Sequence, residues 1–471
     1  MKSTRPLLHP AFLMIGFWVF IYAVYFLAPI IQTPPVSLTG AAFVGSLVLV
    51  FCTSSVLASH WGGGFLVPAS TASAAQLNVG LPRLINILFL IGISGAILSL
   101  YGKIISVEDI SFCSFASLRT ERAQQLLAAR ALSSSVLSGI GFLAYPAGFV
   151  AIVITLIRFE ALPAFTRLLS IFYVPLLFLL SMVSGGRSTI FVIILFLGLA
   201  VYVRYCQGRT AIPKSQGAKS LLVILLIAFL GYSTLIWKVR AECSGQSPDA
   251  FLAHAEKAWG VKPTASLESL TRGVAQPDQV QSPPDQVQSP PAQVQSQPSQ
   301  VLSQSSLVQS LVSSIFYVTQ SLSIIERVLG MNEPPVLLGA YHIDLVAAAL
   351  RASPGGSEFL AEGYSALLNS NVYGFFTSAW GALYIDFGLA GCYIATLLWG
   401  GLAGSAYRLA RRNIYSGGVT QYVFWMYSIL ISFVSPPFGF SNSAVIFAWF
   451  LIYYLLRPQE QSTETTHLII D

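Results

Sequence analysis

Charged side chains are scarce in this chain. Of its 471 residues, 25 are Lys or Arg and 19 are Asp or Glu, so 9% are charged while 55% are hydrophobic. A soluble domain carries roughly 25% charged residues, and a soluble chain of this length would need a polar surface over several domains. The composition therefore excludes an ordinary globular protein. The net charge of +6 is not gathered on one polar domain that would bind nucleic acid.

Apolar stretches long enough to cross a bilayer recur along the chain. A helix needs about 20 apolar residues to span a hydrocarbon core about 30 Å thick. The eighth stretch is long and rich in glycine, which also fits a re-entrant piece followed by a span. Pro146 lies inside the fourth, where neighbouring helices can satisfy the carbonyl that it frees. The sequence predicts an all-α polytopic membrane protein of about ten transmembrane helices, at 10–31, 38–59, 84–102, 134–157, 163–184, 188–204, 219–238, 375–407, 419–434 and 443–457.

Lys and Arg in the short loops predict the orientation. Cytoplasmic loops of membrane proteins carry an excess of these two residues. With a cytoplasmic N-terminus, the short inside segments hold more of them than the short outside loops. We therefore expect both termini in the cytoplasm, together with the segments that hold Lys2, Arg5, Arg158, Arg167, Arg204, Arg209, Arg408, Arg411 and Arg412.

The predicted spans divide the chain into four parts. Residues 1–238 form a bundle of spans one to seven, and 239–373 form one large periplasmic loop with more acids than bases. Residues 374–457 hold spans eight to ten, and 458–471 form a cytoplasmic tail. The large loop therefore precedes the last three spans and holds most of the polar mass of the chain.

Two segments of the large loop have a readable pattern. Residues 277–304 repeat seven-residue units such as PDQVQSP. Proline in each unit excludes a coiled coil, since an interior proline costs about 3 kcal/mol, and the polar composition predicts a disordered spacer. Near 307–329, apolar residues recur at three- and four-residue steps and predict an amphipathic helix. This helix would lie on the outer membrane surface or pack on a small core of the loop.

Motifs for nucleotide and metal chemistry are absent from the sequence. It contains no G-x-x-x-x-G-K-[ST], no H-E-x-x-H and no D-x-D, so neither a P-loop nucleotide nor a metal-held sugar nucleotide is predicted. The five cysteines are spread singly without a C-x-x-C pair. A disulfide between Cys113 and Cys243, which the topology places on one side, is left open. We predict no metal and no cofactor.

Arg187 stands between two spans that are separated by almost no loop, in the run SGGRS at 184–188. Ionisable residues at a membrane are costly and are therefore functional candidates. The glycines let the backbone bend, and a planar guanidinium suits a phosphate or diphosphate in bidentate fashion. An arginine that snorkels to lipid headgroups is the structural alternative. We predict that Arg187 binds substrate at the outer membrane mouth.

Further ionisable residues lie near the eighth span. Asp386 is the only acid within a predicted span; it would orient a polar neighbour, sit at a helix break near Gly388, or act in catalysis. In the loop, a base could activate a hydroxyl and arginines could hold an anionic leaving group. His342 is the preferred base because its unperturbed pKa is near neutrality. The ionisable candidates in the loop are Glu326, Arg327, His342, Asp344, Arg351, Glu358 and Glu362. The alternative to a functional role is that their charges are simply solvated.

Several of these features resemble the Wzy-type O-antigen polymerases, a family of bacterial oligosaccharide repeat-unit polymerases. They are the SGGRS run after span five, the large external loop late in the chain, and the runs NVYGFF at 371–376 and YIDFG at 384–388 with Gly391. In layout the resemblance covers nearly the whole chain, whereas the motifs are short. The proline-rich repeat departs from the family pattern and is interpreted as an insertion.

The resemblance implies a metal-independent glycosyltransferase of the bacterial inner membrane that makes O-antigen or exopolysaccharide. It would transfer a growing glycan from undecaprenyl diphosphate to the next lipid-linked repeat unit at the periplasmic face. Arg187 and a loop arginine, Arg351 or Arg327, would bind the diphosphate, and Asp386 would belong to the substrate-binding set. His342 or Glu326 would be the catalytic base. The partners would be the lipid-linked oligosaccharide and the bilayer, with a chain-length regulator protein left open.

Alternative functions share parts of this description. An O-antigen ligase would use the same donor with another acceptor, but His342 lacks the ligase-type His-plus-glycine motif. A polysaccharide flippase or transporter would need charged or broken helices along a central path, and only Asp386 lies deep. A sugar transferase with acids in its first external loop is disfavoured because 32–37 contains none.

Overall fold

A computed structural model of the chain describes residues 5–61, 80–105, 136–184, 188–210, 231, 260–264, 315–331, 333–372, 376–414, 417–440 and 442–457. This part is built mainly of α-helices. Several predicted features lie outside the described residues, namely the seventh span at 219–238, the repeat at 277–304, the tail at 458–471, and Cys113 and Cys243.

Thirteen helices occur in the described ranges. In chain order they are α1 (Pro10–Leu27), α2 (Leu38–Trp61), α3 (Leu81–Ile105), α4 (Val136–Ala144), α5 (Ala147–Ile157), α6 (Ala164–Val183), α7 (Ser188–Cys206), α8 (315–329), α9 (Asp344–Arg351), α10 (Gly356–Asn369), α11 (Ser378–Arg412), α12 (Gly418–Leu430) and α13 (Ser443–Leu456). A 3₁₀ turn, Phe159–Ala161, joins α5 to α6. The all-α prediction misses one small antiparallel sheet, in which β1 (Ile30–Gln32) pairs with β2 (Val261–Pro263).

Most of the predicted spans correspond to described helices. Seven stretches there are long and apolar enough to cross a membrane: α1, α2, α3, α4 with α5, α6, α7 and α11. The ninth and tenth predicted spans are the shorter helices α12 and α13, of 13 and 14 residues. The prediction of a helical membrane protein is therefore confirmed.

The break between α4 and α5 shows how the bundle tolerates a proline. Pro146 has no N–H, so the carbonyl of Phe142 loses its helical partner. Asn442 donates its Nδ2 to that carbonyl at 2.7 Å, and the indole of Trp449 donates to the carbonyl of Leu143 at 2.8 Å. Side chains from the end of the chain therefore satisfy the groups that the break frees, as expected for a backbone at membrane depth.

Small residues let α11 approach α2 closely. A Cβ atom on Gly404 would lie 2.1 Å from the carbonyl oxygen of Ser55, and one on Gly400 would lie 2.1 Å from Oγ of Ser54. Such contacts are typical of membrane helices, whose packing depends on close backbone approach. They fix the position of α11, which carries Asp386.

Helix α12 runs through the middle of the bundle. Its residues from Gly418 to Ile429 are all buried, and a helix buried on every side lies in a core. At about 1.5 Å per residue it is about 20 Å long, shorter than the hydrocarbon core. The non-helical segment that follows, 431–440, therefore begins at a depth that the neighbouring helices still span.

Hydrogen bonds between elements define two ends of the bundle. At the end that we call the loop end, Arg327 binds Thr33 and residues 260–264 pair with β1. At the end that we call the arginine end, Arg204 binds Glu160, and the backbone N–H of Arg5 donates to the carbonyl of Cys206 at 2.9 Å.

The described part of the predicted amphipathic helix is α8. Its Leu322 and Ile325 pack into the main core of the bundle, while Ile324 and Val328 belong to a smaller core with Leu360. The polar side chains Thr319, Gln320 and Ser323 are buried as well. Burial on both faces favours the packed interpretation over a helix that lies on the membrane surface.

Candidate functional site

The candidate site forms where α11 is interrupted. Gly388 has φ 66° and ψ −172° inside the helix, a conformation that glycine adopts without the steric cost of a side chain. The carbonyls of Ile385 and Asp386 are thereby free to accept bonds from the backbone N–H groups of Leu337 (3.2 Å) and Leu338 (2.8 Å). The extended segment before α9 is therefore held against the broken helix.

Asp386 lies fully buried at this break, and each of its oxygens is used. Oδ1 accepts hydrogen bonds from the backbone N–H groups of Gly339 at 3.0 Å and Tyr341 at 2.9 Å. Oδ2 is hydrogen-bonded to Nδ1 of His342. A carboxylate is an acceptor only, so Nδ1 is the donor in this bond. Asp386 thus orients His342, one of the roles that its sequence position suggested.

His342 has a second ring nitrogen, Nε2, which is a proton acceptor in the neutral imidazole. Its side chain is 5% exposed, and its ring meets the ring of Phe387 edge-on at 6.2 Å. Within the described residues, no hydrogen bond is formed by Nε2. A carboxylate that fixes the imidazole tautomer while the second nitrogen stays open is the arrangement of a general base.

Gly439, in the segment 431–440 that follows α12, packs against His342 of this dyad. A Cβ atom on Gly439 would lie 2.9 Å from both Cβ and the carbonyl oxygen of His342, and 2.2 Å from Oγ of Ser435. Any larger residue at 439 would therefore displace His342 or the segment itself. Gly439 positions the histidine through this close approach.

Arg351 ends α9, nine residues after His342. Its Nε and Nη2 atoms are buried and have no hydrogen-bond partner in the described part of the chain. These two N–H groups form one edge of the guanidinium, which matches two oxygens of a single phosphate or carboxylate. A buried donor without a partner costs about 1–3 kcal/mol, so this edge is suited to an anionic ligand.

Glu326 occupies a structural position. Its Oε1 accepts a hydrogen bond from the backbone N–H of Ser37 at 2.8 Å, and its Oε2 accepts one from the Ser37 hydroxyl at 2.8 Å. Ser37 in turn accepts a bond from the N–H of Gly40 at 3.0 Å and caps α2. The carboxylate is therefore occupied at the N-terminus of a helix, so of the two predicted bases His342 is the better placed.

Arg327 also has a structural role. It donates from Nη1 to the carbonyl of Asn371 at 3.0 Å and from Nη2 to the carbonyl of Thr33 at 2.8 Å. Desolvation by burial lowers the pKa of its guanidinium. Arg327 ties the turn before α2 to the segment before α11, whereas Arg351 keeps two donors open for a ligand.

The remaining predicted residues divide between exposed and undescribed positions. Glu358 and Glu362 lie exposed on α10, and Asp344 opens α9. Arg187 lies outside the described residues. Sequence reasoning missed the backbone amides that hold Asp386 and the close approach of Gly439. The run Pro436-Pro437-Phe438-Gly439, a turn signal between two predicted spans, could have pointed to the second of these.

The site therefore combines a proton acceptor and an anion-binding edge on one short stretch, 342–351. Together, they can remove a proton from a hydroxyl and stabilise a negative charge that develops on a leaving group. Among the described residues, no group of three or more His, Cys, Asp or Glu side chains is placed to hold a metal ion. No protein-family model, no curated protein and no solved structure matches this chain.

Proposed function

We propose that the protein is an oligosaccharide repeat-unit polymerase, which transfers a growing glycan from undecaprenyl diphosphate to the next lipid-linked repeat unit. The observation that carries the proposal is the Asp386–His342 dyad with an open Nε2 at the loop end of a membrane bundle. A sugar hydroxyl is a weak nucleophile that such a base activates. The resemblance of the sequence to Wzy-type polymerases supplies the substrate class.

The reaction needs one proton transfer and one displacement. Nε2 of His342 takes the proton of the acceptor hydroxyl as its oxygen bonds to the anomeric carbon of the donor glycan. The bond from that carbon to the diphosphate oxygen breaks, and undecaprenyl diphosphate leaves with the electron pair. Asp386 stabilises the imidazolium that forms. Arg351, together with Arg187, holds the diphosphate and stabilises its growing charge.

The distribution of arginines supports a periplasmic position for the loop end. Arg158, Arg204, Arg209 and Arg408 all belong to the opposite end, and positive side chains favour the cytoplasmic side of a membrane. With that orientation in the inner membrane of a bacterium, both termini are cytoplasmic. The dyad then faces the compartment in which a lipid-linked repeat unit is extended.

A transporter is the second candidate because α11 is discontinuous. Helices broken near the middle of a membrane are common at the substrate sites of transporters, and Gly388 interrupts α11 in this way. In a transporter, however, the open Nε2 of His342 would bind or relay a proton without forming a glycosidic bond. The two functions therefore differ in whether sugars become joined.

A deletion strain separates the candidate functions. The glycan of cells that lack the protein is compared with that of cells complemented with the wild-type chain. A polymerase predicts single repeat units attached to the final acceptor in the deletion strain. A ligase predicts no attached glycan although polymer accumulates on the lipid carrier, and a flippase predicts unpolymerised units that stay on the cytoplasmic face. Either of the last two results would refute the polymerase proposal.

A further inference from the structure

Four aromatic rings form a continuous row at the loop end. The ring of Tyr317 lies 5.7 Å from that of Phe376, Phe376 lies 6.4 Å from Phe440, and Phe440 lies 6.2 Å from Phe191. Centroid distances of 4.5–7 Å are those of interacting aromatic pairs. The four residues come from α8, the residues before α11, the α12–α13 segment and the first turn of α7, so the row is assembled by the tertiary fold.

The row is only partly covered and adjoins the dyad. All four residues are half-buried, in contrast to the fully buried rings of the central core. Phe440 directly follows Gly439, which is the residue in contact with His342. From that point the row runs toward the outer end of α7. A ligand that reaches from the dyad toward the edge of the bundle would therefore pass over these rings.

The chemistry of the row favours an apolar ligand. Three of the four side chains are Phe, which can form no hydrogen bond with a sugar, and none of the four is charged at neutral pH. A site for a glycan would combine rings with polar groups that fix the hydroxyls. An extended hydrocarbon instead gains from burial against consecutive rings.

We propose that this aromatic row binds the isoprenoid chain of the lipid carrier next to the dyad. The proposal rests on the proposed function, which places a polyprenyl diphosphate at the loop end. The diphosphate lies at the dyad and Arg351, and the tail runs along Phe440 and Phe191 toward the bilayer. The row therefore selects substrates by the length of the tail, separately from the sugars that they carry.

The test measures binding of two lipids that differ only in chain length. Undecaprenyl diphosphate and farnesyl diphosphate are titrated into the purified full-length protein, and Kd is determined for the wild type, Phe440→Leu and Phe191→Leu. The matched control is Phe172→Leu, because Phe172 on α6 is 63% exposed and lies outside the row. Leucine keeps each position apolar, so the variants retain the fold.

We expect the wild type to bind undecaprenyl diphosphate with a lower Kd than farnesyl diphosphate. Each row variant should bind undecaprenyl diphosphate about fivefold more weakly, which corresponds to one lost aromatic contact. The loss should be smaller for farnesyl diphosphate, whose shorter tail covers fewer rings, and Phe172→Leu should have no effect. A wild type without chain-length preference, row variants with full affinity, or an equal loss in Phe172→Leu would overturn the proposal. Lipid binding does not depend on glycan transfer. The polymerase function is therefore tested separately, by the glycan pattern of the deletion strain.

Discussion

Arg204 at the arginine end and Arg351 at the loop end differ in how the N–H groups of their guanidinium groups are satisfied. At the arginine end, the fully buried Arg204 binds Glu160 through Nη1 at 3.0 Å and Nη2 at 2.5 Å, and it also donates to the carbonyl of Leu156 at 2.8 Å. At the loop end, Nε and Nη2 of Arg351 are buried without a partner among the described residues, and His342 is hydrogen-bonded through Nδ1 to Asp386. The guanidinium of Arg204 is therefore satisfied by groups of the protein, whereas that of Arg351 keeps two donors for a ligand.

This difference separates stability from function. The satisfied guanidinium of Arg204 helps to hold α7 to the end of α5 and to the turn at Phe159–Ala161, and loss of its partner would weaken the fold. The hydrogen bond from Arg204 lowers the pKa of the Glu160 carboxyl, so the pair persists at neutral pH. Open polar groups next to an oriented imidazole contribute little to stability and mark a site of chemistry. Variants at the two ends should therefore affect different measurements.

The largest expected effect is that of Asp386→Asn. The amide would turn an N–H group toward Nδ1 of His342 and move the ring proton to Nε2, which abolishes the base. We expect the rate of glycan polymerisation to fall about a hundredfold or more, measured as polymer formed per amount of folded protein. Glu358→Gln, at an exposed position of α10, is the control and should retain its rate. An active Asp386→Asn protein would show that Asp386 is not needed for the reaction.

A smaller loss is expected for Arg351→Lys. Lysine keeps the charge but cannot present two parallel N–H groups, so polymerisation should slow about tenfold to a hundredfold, and Arg351→Ala should be no better. Arg327→Lys provides the matched control, because it should lower thermal stability more than the rate per folded molecule. Full activity of Arg351→Lys would show that only charge is needed at this position.

Glu160→Gln tests the arginine end. It leaves the buried guanidinium of Arg204 without its counter-charge, and Glu160 is itself 53% exposed, so solvent reduces the cost. We expect about 2 kcal/mol of destabilisation, measured by thermal unfolding in detergent, with an unchanged polymerisation rate per folded molecule. Loss of rate without loss of stability would place function at this end as well.

The smallest effect is a pH dependence of that same pair. Because the pKa of Glu160 is lower in the folded protein, its contribution is complete above the unfolded value of about 4.3. The contribution disappears as the pH falls through the folded pKa. The stability difference between the wild type and Glu160→Gln should therefore be largest near neutral pH and vanish in acid. A difference that grows in acid would mean that the carboxylate does not stabilise the fold.

The spans could be predicted because they depend on local composition. A run of apolar residues must be long enough to cross the bilayer whatever it packs against, and α2 begins at Leu38, where the predicted span begins. The burial of α8 could not be predicted, since Thr319 and Ser323 suggest a face exposed to water. They are instead buried beside Gln32, which donates to the Thr319 hydroxyl and accepts from the Ser323 hydroxyl at 3.0 Å.

The site was only partly visible in the sequence. His342 and Asp386 could each be selected as an ionisable residue near the membrane, but 44 residues separate them. Their contact depends on the break at Gly388 and on the amides of Gly339 and Tyr341, which tertiary structure alone brings together. Arg327 and Arg351 look equivalent as loop arginines, and only their hydrogen bonds distinguish a structural tie from an open edge.

The most direct test of the catalytic role of His342 is the glycan made by cells whose only copy of the protein carries His342→Gln. Glutamine is uncharged and of similar length, but it cannot accept the proton of a hydroxyl at this position. A catalytic role of His342 predicts single repeat units in place of long chains, with normal protein levels in the membrane. His60→Gln, at the exposed end of α2, should leave the chains intact. Chains of normal length from His342→Gln would contradict a catalytic dyad at the loop end.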